Sequence, residues 1–169
     1  MKRSEPLLHA SSRTPLGVLE VIVDQETVLA AGFASLNTLK KKLYEEDRAR
    51  EIRTSKSLTW LTECIADYFD GNISVFNQLK VRQPGSGFSQ SAWKAMRKIP
   101  AGKVISYATL AQRAGSPAAV RAAGTACGRN AIAPIIPCHR IIRSDGSFGN
   151  YGYGIDKKLW LLRHEGAID

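Results

Sequence analysis

The sequence predicts an α+β protein in two segments, a mixed α/β domain over residues 1–83 and a helix-turn-helix domain over residues 84–169. Two observations lead to this fold class. Residues 84–87 read Pro-Gly-Ser-Gly, a run typical of a linker. Before it lie β-rich runs separated by turn residues, and after it two short helical patterns are joined by a glycine-containing turn. At 169 residues, the chain can form one domain or two small ones with real cores.

Patterning in the first segment predicts a hairpin and two helices. Residues 17–23 and 28–33 are β-rich and flank a turn at 24–27. Ser35 can cap a helix that runs to about Glu46, and the dense charge over residues 38–53 suits a solvated face. Apolar residues at positions 58, 61, 65 and 69 predict an amphipathic helix that Asp70-Gly71 ends, with Cys64 in its core-facing side. Residues 75–81 fit a further strand.

Serine caps organise the second segment. Ser89 can cap a helix that includes Trp93, and Ser106 can cap a helix over residues 107–114. Gly115 then turns the chain, and Ser116-Pro117 can open the next helix. That helix, over residues 117–127, consists mainly of small residues around one arginine, which suits either close approach to a surface or tight packing in a core.

Two simpler patterns complete this segment. Residues 144–147 read as a hairpin-type turn, and residues 155–165 predict a helix that Gly166 ends.

Composition excludes several classes of protein. Hydrophobic residues make up 44% and charged residues 23% of the chain, which is ordinary for a folded soluble protein. No stretch approaches the roughly 18 apolar residues of a membrane span, and the first residues lack the apolar core of a secretory signal. The three cysteines, Cys64, Cys127 and Cys138, form no CxxC pair. We therefore expect no disulfide framework and a reducing, cytoplasmic location.

The formal charge of +9 is unevenly distributed. Residues 1–83 hold 12 Lys or Arg against 11 Asp or Glu, whereas residues 84–169 hold 12 against four. The second segment therefore carries a net charge of +8 and favours a polyanionic partner, above all nucleic acid. A charge that serves only solubility is the alternative.

Pro137-Cys138-His139-Arg140 is the candidate catalytic motif. A cysteine is a strong nucleophile as the thiolate, which a neighbouring basic group favours. On an extended strand, His139 would point away from Cys138, so their contact needs a bridging water or a turn at Pro137. Among the carboxylates of this segment, Glu165 is best placed to orient the imidazole. The alternative is a buried structural cysteine beside a surface histidine. No zinc-ligand spacing, Walker loop or dinucleotide fingerprint occurs, so we expect no metal and no cofactor.

The residues around this motif resemble the O6-alkylguanine-DNA alkyltransferases, also called methylated-DNA–protein-cysteine methyltransferases. Asn130, Arg121 and Tyr107 precede Cys138 by eight, 17 and 31 residues. The runs 93–102, 105–107, 149–154, 160–162 and 164–166 also match, as does Lys158, so the resemblance extends over about residues 87–166. The first segment resembles the family in length and in strand–helix order.

The resemblance implies a role for each matching residue. Cys138 is the alkyl acceptor, His139 is its base through a water molecule, and Glu165 orients His139. Asn130 holds the turn beside the active-site segment. Tyr107 helps to rotate the nucleotide and bonds the base.

Further positions are implied for DNA and for the substrate. The implied DNA-binding residues are Arg121, which fills the vacated base stack, together with Tyr107, Ala122, Gly124 and Arg129. The implied substrate pocket comprises Tyr151, Gly152 and Met96.

The resemblance also implies a fold and an activity. The fold is an N-terminal ribonuclease H-like α/β domain followed by a C-terminal winged-helix domain that lies in the minor groove of double-stranded DNA. The activity is irreversible transfer of the alkyl group of a flipped O6-alkylguanine, and of O4-alkylthymine as a further substrate, to Cys138. The protein is expected to be a monomer that acts once.

Two other functions fit parts of the sequence. A DNA-binding module without transfer, like the alkyltransferase-like proteins, usually has tryptophan at the position of Cys138, so the cysteine argues against it. A small winged-helix regulator would have no use for Cys138, His139 and Glu165 together.

Overall fold

The computed structural model describes residues 5–169. Residues 1–4, which belong to the predicted first domain, lie outside the described residues. The structure is mixed α/β and divides into two compact units. The first unit runs to Pro84 and includes Ala131–Ile135, and the second comprises Gly85–Asn130 and Ile136–Asp169. In the described part of the chain, no helix is long and apolar enough to cross a membrane.

A five-stranded sheet forms the centre of the first unit. Its strands are β1 (Leu7–Thr14), β2 (Gly17–Asp24), β3 (Thr27–Gly32), β4 (Ile52–Thr54) and β5 (Lys80–Val81), in the spatial order β4-β1-β2-β3-β5. β1, β2 and β3 pair antiparallel, which confirms the predicted β2–β3 hairpin, while β4 and β5 pair parallel to β1 and β3. The segment predicted as a strand over residues 75–81 is a 3-10 turn, Val75–Gln78, that leads into β5.

Two helices of the described residues, α1 (Leu36–Lys40) and α3 (Thr59–Phe69), pack against this sheet, and the short helix α2 (Glu45–Arg48) lies between them in the chain. Ser35 caps α1 as predicted, because its Oγ accepts a hydrogen bond from the Thr38 N–H at 3.2 Å. The predicted length was wrong: α1 ends at Lys40 and a separate turn precedes α2. The amphipathic α3 is confirmed and packs against β1, with Cys64 buried.

Most charged side chains of residues 38–53 are exposed, as the predicted solvated face requires, but Asp47 and Arg50 belong to a buried ion cluster. Arg50 is 7% exposed and donates to both oxygens of Asp24, at 2.9 and 3.1 Å, and to Asp47 at 3.2 Å. Arg82 donates to the other oxygen of Asp47 at 2.8 Å. The hydrogen bond to Asp24 raises the pKa of Arg50 above its usual value. Buried charges persist when they are paired in this way.

Residues 131–135 pack in the first unit, although the sequence prediction placed them in the second segment. The Ala31 N–H donates to Ala131 O at 2.8 Å, and the Ala133 N–H donates to Ala31 O at 3.1 Å. Gln83 Oε1 accepts from the Ala131 N–H at 2.7 Å. These buried backbone groups find their partners on β3 and on the Gln83 side chain, and a local sequence pattern does not reveal such distant pairing.

The second unit contains four helices among the described residues: α4 (Gly87–Arg97), α5 (Tyr107–Arg113), α6 (Val120–Arg129) and α7 (Ile155–His164). β6 (Ile105–Ser106) pairs parallel to β7 (Ile141–Ile142). α4, α5 and α6 pack against one another, and Trp93 Nε1 donates to Ala126 O at 2.9 Å. This packing fixes α6, which carries several of the predicted DNA-binding residues.

Two predicted helix starts in this unit were wrong. Ser86, rather than Ser89, caps α4, since the Ser86 hydroxyl accepts from the Ser89 N–H at 3.2 Å and Ser89 lies inside the helix. α6 begins at Val120 instead of residue 117, because the Ala119 N–H bonds to Ser116 O in a separate turn. The cap of α5 by Ser106 is confirmed.

Candidate active site

The candidate catalytic motif forms a tight turn rather than an extended strand. Cys138–Arg140 is one turn of 3-10 helix, in which the Arg140 N–H donates to Pro137 O at 3.0 Å. The turn at Pro137, one of the two alternatives left open by the sequence, is therefore present. Asn130 Nδ2 donates to Ile136 O at 2.8 Å and fixes the chain just before the cysteine.

His139 and Glu165 form a buried hydrogen-bonded pair. His139 is 0% and Glu165 4% exposed, and His139 Nε2 lies 2.9 Å from Glu165 Oε2. Burial lowers the pKa of His139, and Glu165 offsets this only in part, so the imidazole is neutral at neutral pH. A neutral ring beside an ionised carboxylate carries its proton on Nε2. The Nδ1 atom, which has no hydrogen-bond partner among the described residues, then holds a free lone pair.

Arg140 completes this network, and sequence reasoning gave it no role. Its Nε donates to Glu165 Oε1 and its Nη2 to Oε2, both at 2.9 Å, while its Nη1 donates to Ile99 O at 2.7 Å. Burial alone would raise the pKa of Glu165, but His139 and Arg140 outweigh burial and hold that pKa well below its usual range. The Glu165 carboxylate is therefore ionised at neutral pH.

A cavity of about 570 Å³ opens in front of Cys138, within the ~300–1,000 Å³ typical of small-molecule sites. Cys138 itself is 8% exposed. The structure brings six sequence-predicted residues to this cavity: Tyr107, Arg121, Gly124, Cys138, Tyr151 and Gly152. Burial raises the pKa of Tyr107, so its phenol remains a proton donor.

The other predicted site residues lie elsewhere. Asn130 is buried behind the turn, and Ala122 and Arg129 lie on α6 outside the cavity lining. Met96 is 0% exposed and does not line this cavity. The reason is the amphipathic pattern of α4, which directs Met96 into the core together with Trp93.

Sequence reasoning missed several residues of the same cavity, and the helical period identifies some of them. They are Val120, Cys127, Gly128, Arg143 and Asn150. Val120, Cys127 and Gly128 lie three or four residues from Gly124, as does Arg121, so all five positions share one face of α6. The predicted site residues Arg121 and Gly124 therefore indicate that the other three line the same cavity. Burial raises the pKa of Cys127 well above its usual value, which keeps that sulfur a thiol.

Lys158 lies fully buried beside the site. Its Nζ donates to Ile141 O at 2.7 Å and to Asn150 O at 3.3 Å, so it ties α7 to the chain that lines the cavity. Burial lowers the pKa of Lys158, whereas negative charge at Cys138 acts in the opposite direction. An ammonium at Lys158 and a thiolate at Cys138 therefore stabilise each other.

A cysteine facing a cavity, next to a neutral imidazole and an ionised carboxylate, is the arrangement of a cysteine nucleophile. Residues 87–167 match the family model described as 6-O-methylguanine DNA methyltransferase, DNA binding domain. The methylated-DNA–protein-cysteine methyltransferase of Salmonella typhimurium is 36% identical over 166 residues, which are 96% of this chain and 97% of that relative. The corresponding protein of Methanosarcina barkeri is 40% identical over 134 residues, 79% of this chain and 84% of its own.

The fold agrees with these sequence matches. The crystal structure of Mycobacterium tuberculosis OGT in complex with DNA matches with a TM-score of 0.80 and 29% identity, over 95% of this chain and 93% of that chain. The chain therefore belongs to the methylated-DNA–protein-cysteine methyltransferase family.

Proposed function

We propose that this protein repairs DNA by transferring the alkyl group of O6-alkylguanine directly to its own Cys138. The observation that carries the proposal is the position of Cys138, which lines a cavity of about 570 Å³ and is followed in one turn by the buried His139–Glu165 pair. The family membership supports direct alkyl transfer as the reaction.

The first step is loss of the thiol proton. His139 Nδ1 holds the free lone pair and accepts the proton of Cys138 through a water molecule. The ionised Glu165 stabilises the imidazolium that forms, because it accepts the hydrogen bond from Nε2. Lys158 favours the thiolate electrostatically.

The second step is displacement at the alkyl carbon. The Cys138 sulfur forms a bond to this carbon as the bond from the carbon to guanine O6 breaks, and guanine leaves with the electron pair. The Tyr107 hydroxyl, which lines the cavity, donates a proton toward the leaving base. The product is a thioether, a stable bond that the side chains lining the described cavity do not cleave, so each molecule acts once.

The lesion must leave the duplex before transfer. A guanine O6 faces the interior of the base pair, and extrusion of the nucleotide costs a few kcal/mol. Arg121, exposed on α6 at the cavity, would occupy the vacated stack and lower this cost. The helices α5 and α6, joined through Gly115, would act as a helix-turn-helix whose small residues Ala122 and Gly124 approach the minor groove, with Arg129 on a phosphate.

The finer description of the fold belongs to the same proposal. The first unit would correspond to a ribonuclease H-like domain and the second to a winged-helix domain, with β6 and β7 beside the helices. The protein would act as a monomer on double-stranded DNA.

Label transfer tests this function. Incubation with excess duplex DNA that carries a labelled O6-methylguanine should add about one methyl group per chain and then stop. Mass spectrometry should find the added methyl group on the peptide that contains Cys138. Continued turnover, or a methyl group on another residue, would refute the proposal.

A further inference from the structure

The second unit has another cavity, and it is lined by cations. It measures about 460 Å³ and lies between α4 and the end of α5. Lys94 and Lys98 of α4 and Arg113 of α5 line it, together with Ser91, and all four residues are exposed. None of its described lining residues is acidic. The cavity therefore offers three positive charges to a ligand and no negative one.

The placement of these cations follows from the helices. Ser91, Lys94 and Lys98 are spaced by three and four residues, so they share one face of α4. Among the described residues, the side chains of Lys94, Lys98 and Arg113 have no hydrogen bond or ion pair. The charges are thus available to a partner instead of being neutralised within the protein.

The α5 helix joins this cavity to the candidate active site. Tyr107, its first residue, lines the cavity of Cys138, and Arg113, its last residue, lines the cationic cavity. The six residue-to-residue rises from Tyr107 to Arg113 place the two Cα atoms about 9 Å apart along the axis. In a helix-turn-helix, the first helix crosses the nucleic-acid backbone. In the docking proposed above, the cationic cavity at the end of α5 would therefore come within reach of a phosphate of the bound duplex.

We infer that the cavity of Lys94, Lys98 and Arg113 binds a phosphodiester of the DNA backbone beyond the base pairs that present the lesion. The inference rests on the proposed function, because it takes duplex DNA as the ligand. A polyanion suits this cavity better than a small anion, since its exposed, flexible cations add affinity through counterion release rather than through a shaped pocket. The net charge of +8 over residues 84–169 acts in the same direction.

The salt dependence of duplex binding tests the inference. The triple variant Lys94→Gln, Lys98→Gln, Arg113→Gln is compared with a charge-matched control, Lys41→Gln, Lys56→Gln, Lys103→Gln, which removes three exposed cations elsewhere. On an undamaged duplex of about 20–25 base pairs, the cavity variant should bind several-fold more weakly. Its slope of log K against log salt should be shallower by ~0.9 for each DNA phosphate that the variant no longer neutralises. The control should keep the wild-type slope.

Three further arms make the result decisive. A duplex of about one helical turn, ~10 base pairs, should show a smaller difference between cavity variant and wild type than the longer one. The variant Lys94→Arg, Lys98→Arg, Arg113→Lys, which keeps the charges, should restore the slope. Transfer from free O6-benzylguanine should be unchanged in the Gln variants, which shows that they are folded.

Equal slopes for the cavity variant and wild type would overturn the inference, as would an equal loss in the charge-matched control. Unchanged DNA binding with lost affinity for polyglutamate would assign the cavity to an acidic protein instead. The proposed function fails separately, through absence of alkyl transfer in the wild-type protein.

Discussion

Arg140 donates one hydrogen bond to each carboxylate oxygen of Glu165, and both donor–acceptor distances are 2.9 Å. His139 bonds to one of the same oxygens, so a single buried carboxylate serves two partners. This pairing determines the chemistry of the turn. His139 and Arg140 together keep Glu165 ionised, and the ionised Glu165 places the imidazole proton on Nε2, which leaves Nδ1 as the proton acceptor.

Replacement of Glu165 by Gln should destabilise the protein and slow transfer. The change leaves the buried guanidinium of Arg140 without its counter-charge, a situation that costs about 3–5 kcal/mol. Denaturant unfolding measures the stability, and transfer from free O6-benzylguanine measures the rate. The control is Asp156→Asn, an exposed carboxylate in the first turn of α7, for which we expect a loss below ~1 kcal/mol. Equal losses of unfolding free energy in the two variants would show that the bonds of Glu165 to His139 and Arg140 do not stabilise the protein.

The pH dependence of transfer should reflect the neutral state of His139. Burial favours the neutral imidazole, so its pKa lies below the usual value of about 6.5. Because the neutral ring is the base, activity should persist below pH ~6.5 and fall as the pH drops through the lowered pKa. The initial rate of transfer from free O6-benzylguanine, measured across this range, gives the acid limb. A limb near pH 7 or above would contradict the assignment.

The stability of the fold should follow the same titration. The unfolded chain binds a proton at His139 more readily than the folded one does, so the contribution of His139 is complete above pH ~6.5 and is lost as the pH falls below it. Unfolding by denaturant at several pH values measures this loss. Replacement of His139 by Gln should flatten the dependence between the ordinary and the lowered pKa.

Replacement of Cys138 by Ala should abolish transfer and leave affinity for duplex DNA close to wild type, because binding depends on α6 and the basic surface. Mass spectrometry after incubation with lesion DNA measures the adduct, and anisotropy measures binding. The matched control is Cys127→Ala, which removes the second sulfur of the same cavity. Because burial keeps Cys127 a thiol, this variant should still accept one alkyl group. An adduct on the Cys138→Ala protein would point to a different acceptor.

Local sequence signals predicted those elements whose determinants are local. Ser35 and Ser106 bond to backbone N–H groups three residues on, and Gly71 adopts a φ of 116° that ends α3, so all three could be read directly from the sequence. The β1 strand was not predicted, because the second half of Leu7–Thr14 is polar and exposed on alternate positions. The pairing of β1 with β2 and β4 depends on tertiary structure, which a local sequence pattern does not show.

The candidate site shows the same division. The spacing of Tyr107, Arg121 and Cys138 identified residues that do share one cavity. The role of Arg140 could not be predicted, because its partner Glu165 lies 25 positions away in the sequence. A sequence does not show that the two side chains are buried together. The turn at Cys138 was likewise predicted only as one alternative to a strand. The turn depends on the bond that Asn130 donates to Ile136 O and on the bond that Pro137 O accepts from the Arg140 N–H.

Replacement of Gly85 by Ala should destabilise the second unit. A Cβ atom at Gly85 would lie 2.5 Å from Cη2 and 2.7 Å from Cζ3 of Trp93, whose indole is buried and hydrogen-bonded to Ala126. The indole cannot move without losing this bond, so we expect a cost of about 1–3 kcal/mol. Thermal unfolding measures it. Gly87→Ala is the control, because a Cβ there meets no atom within 4 Å. A Gly85→Ala protein as stable as the control would show that Trp93 adapts freely.

Replacement of Arg121 by Ala should slow repair of duplex DNA far more than reaction with free O6-benzylguanine, because a free base requires no extrusion from a stack. If the guanidinium fills the vacated stack, its loss should reduce the single-turnover rate at saturating duplex about tenfold or more, since ~1.4 kcal/mol of lost stabilisation changes a rate tenfold. Arg129→Ala is the matched comparison on the same helix, outside the cavity lining. It should weaken binding, because one DNA phosphate is no longer neutralised, while leaving the rate at saturation unchanged. Equal rate losses on duplex and free base in Arg121→Ala would place Arg121 in the pocket chemistry rather than in the stack.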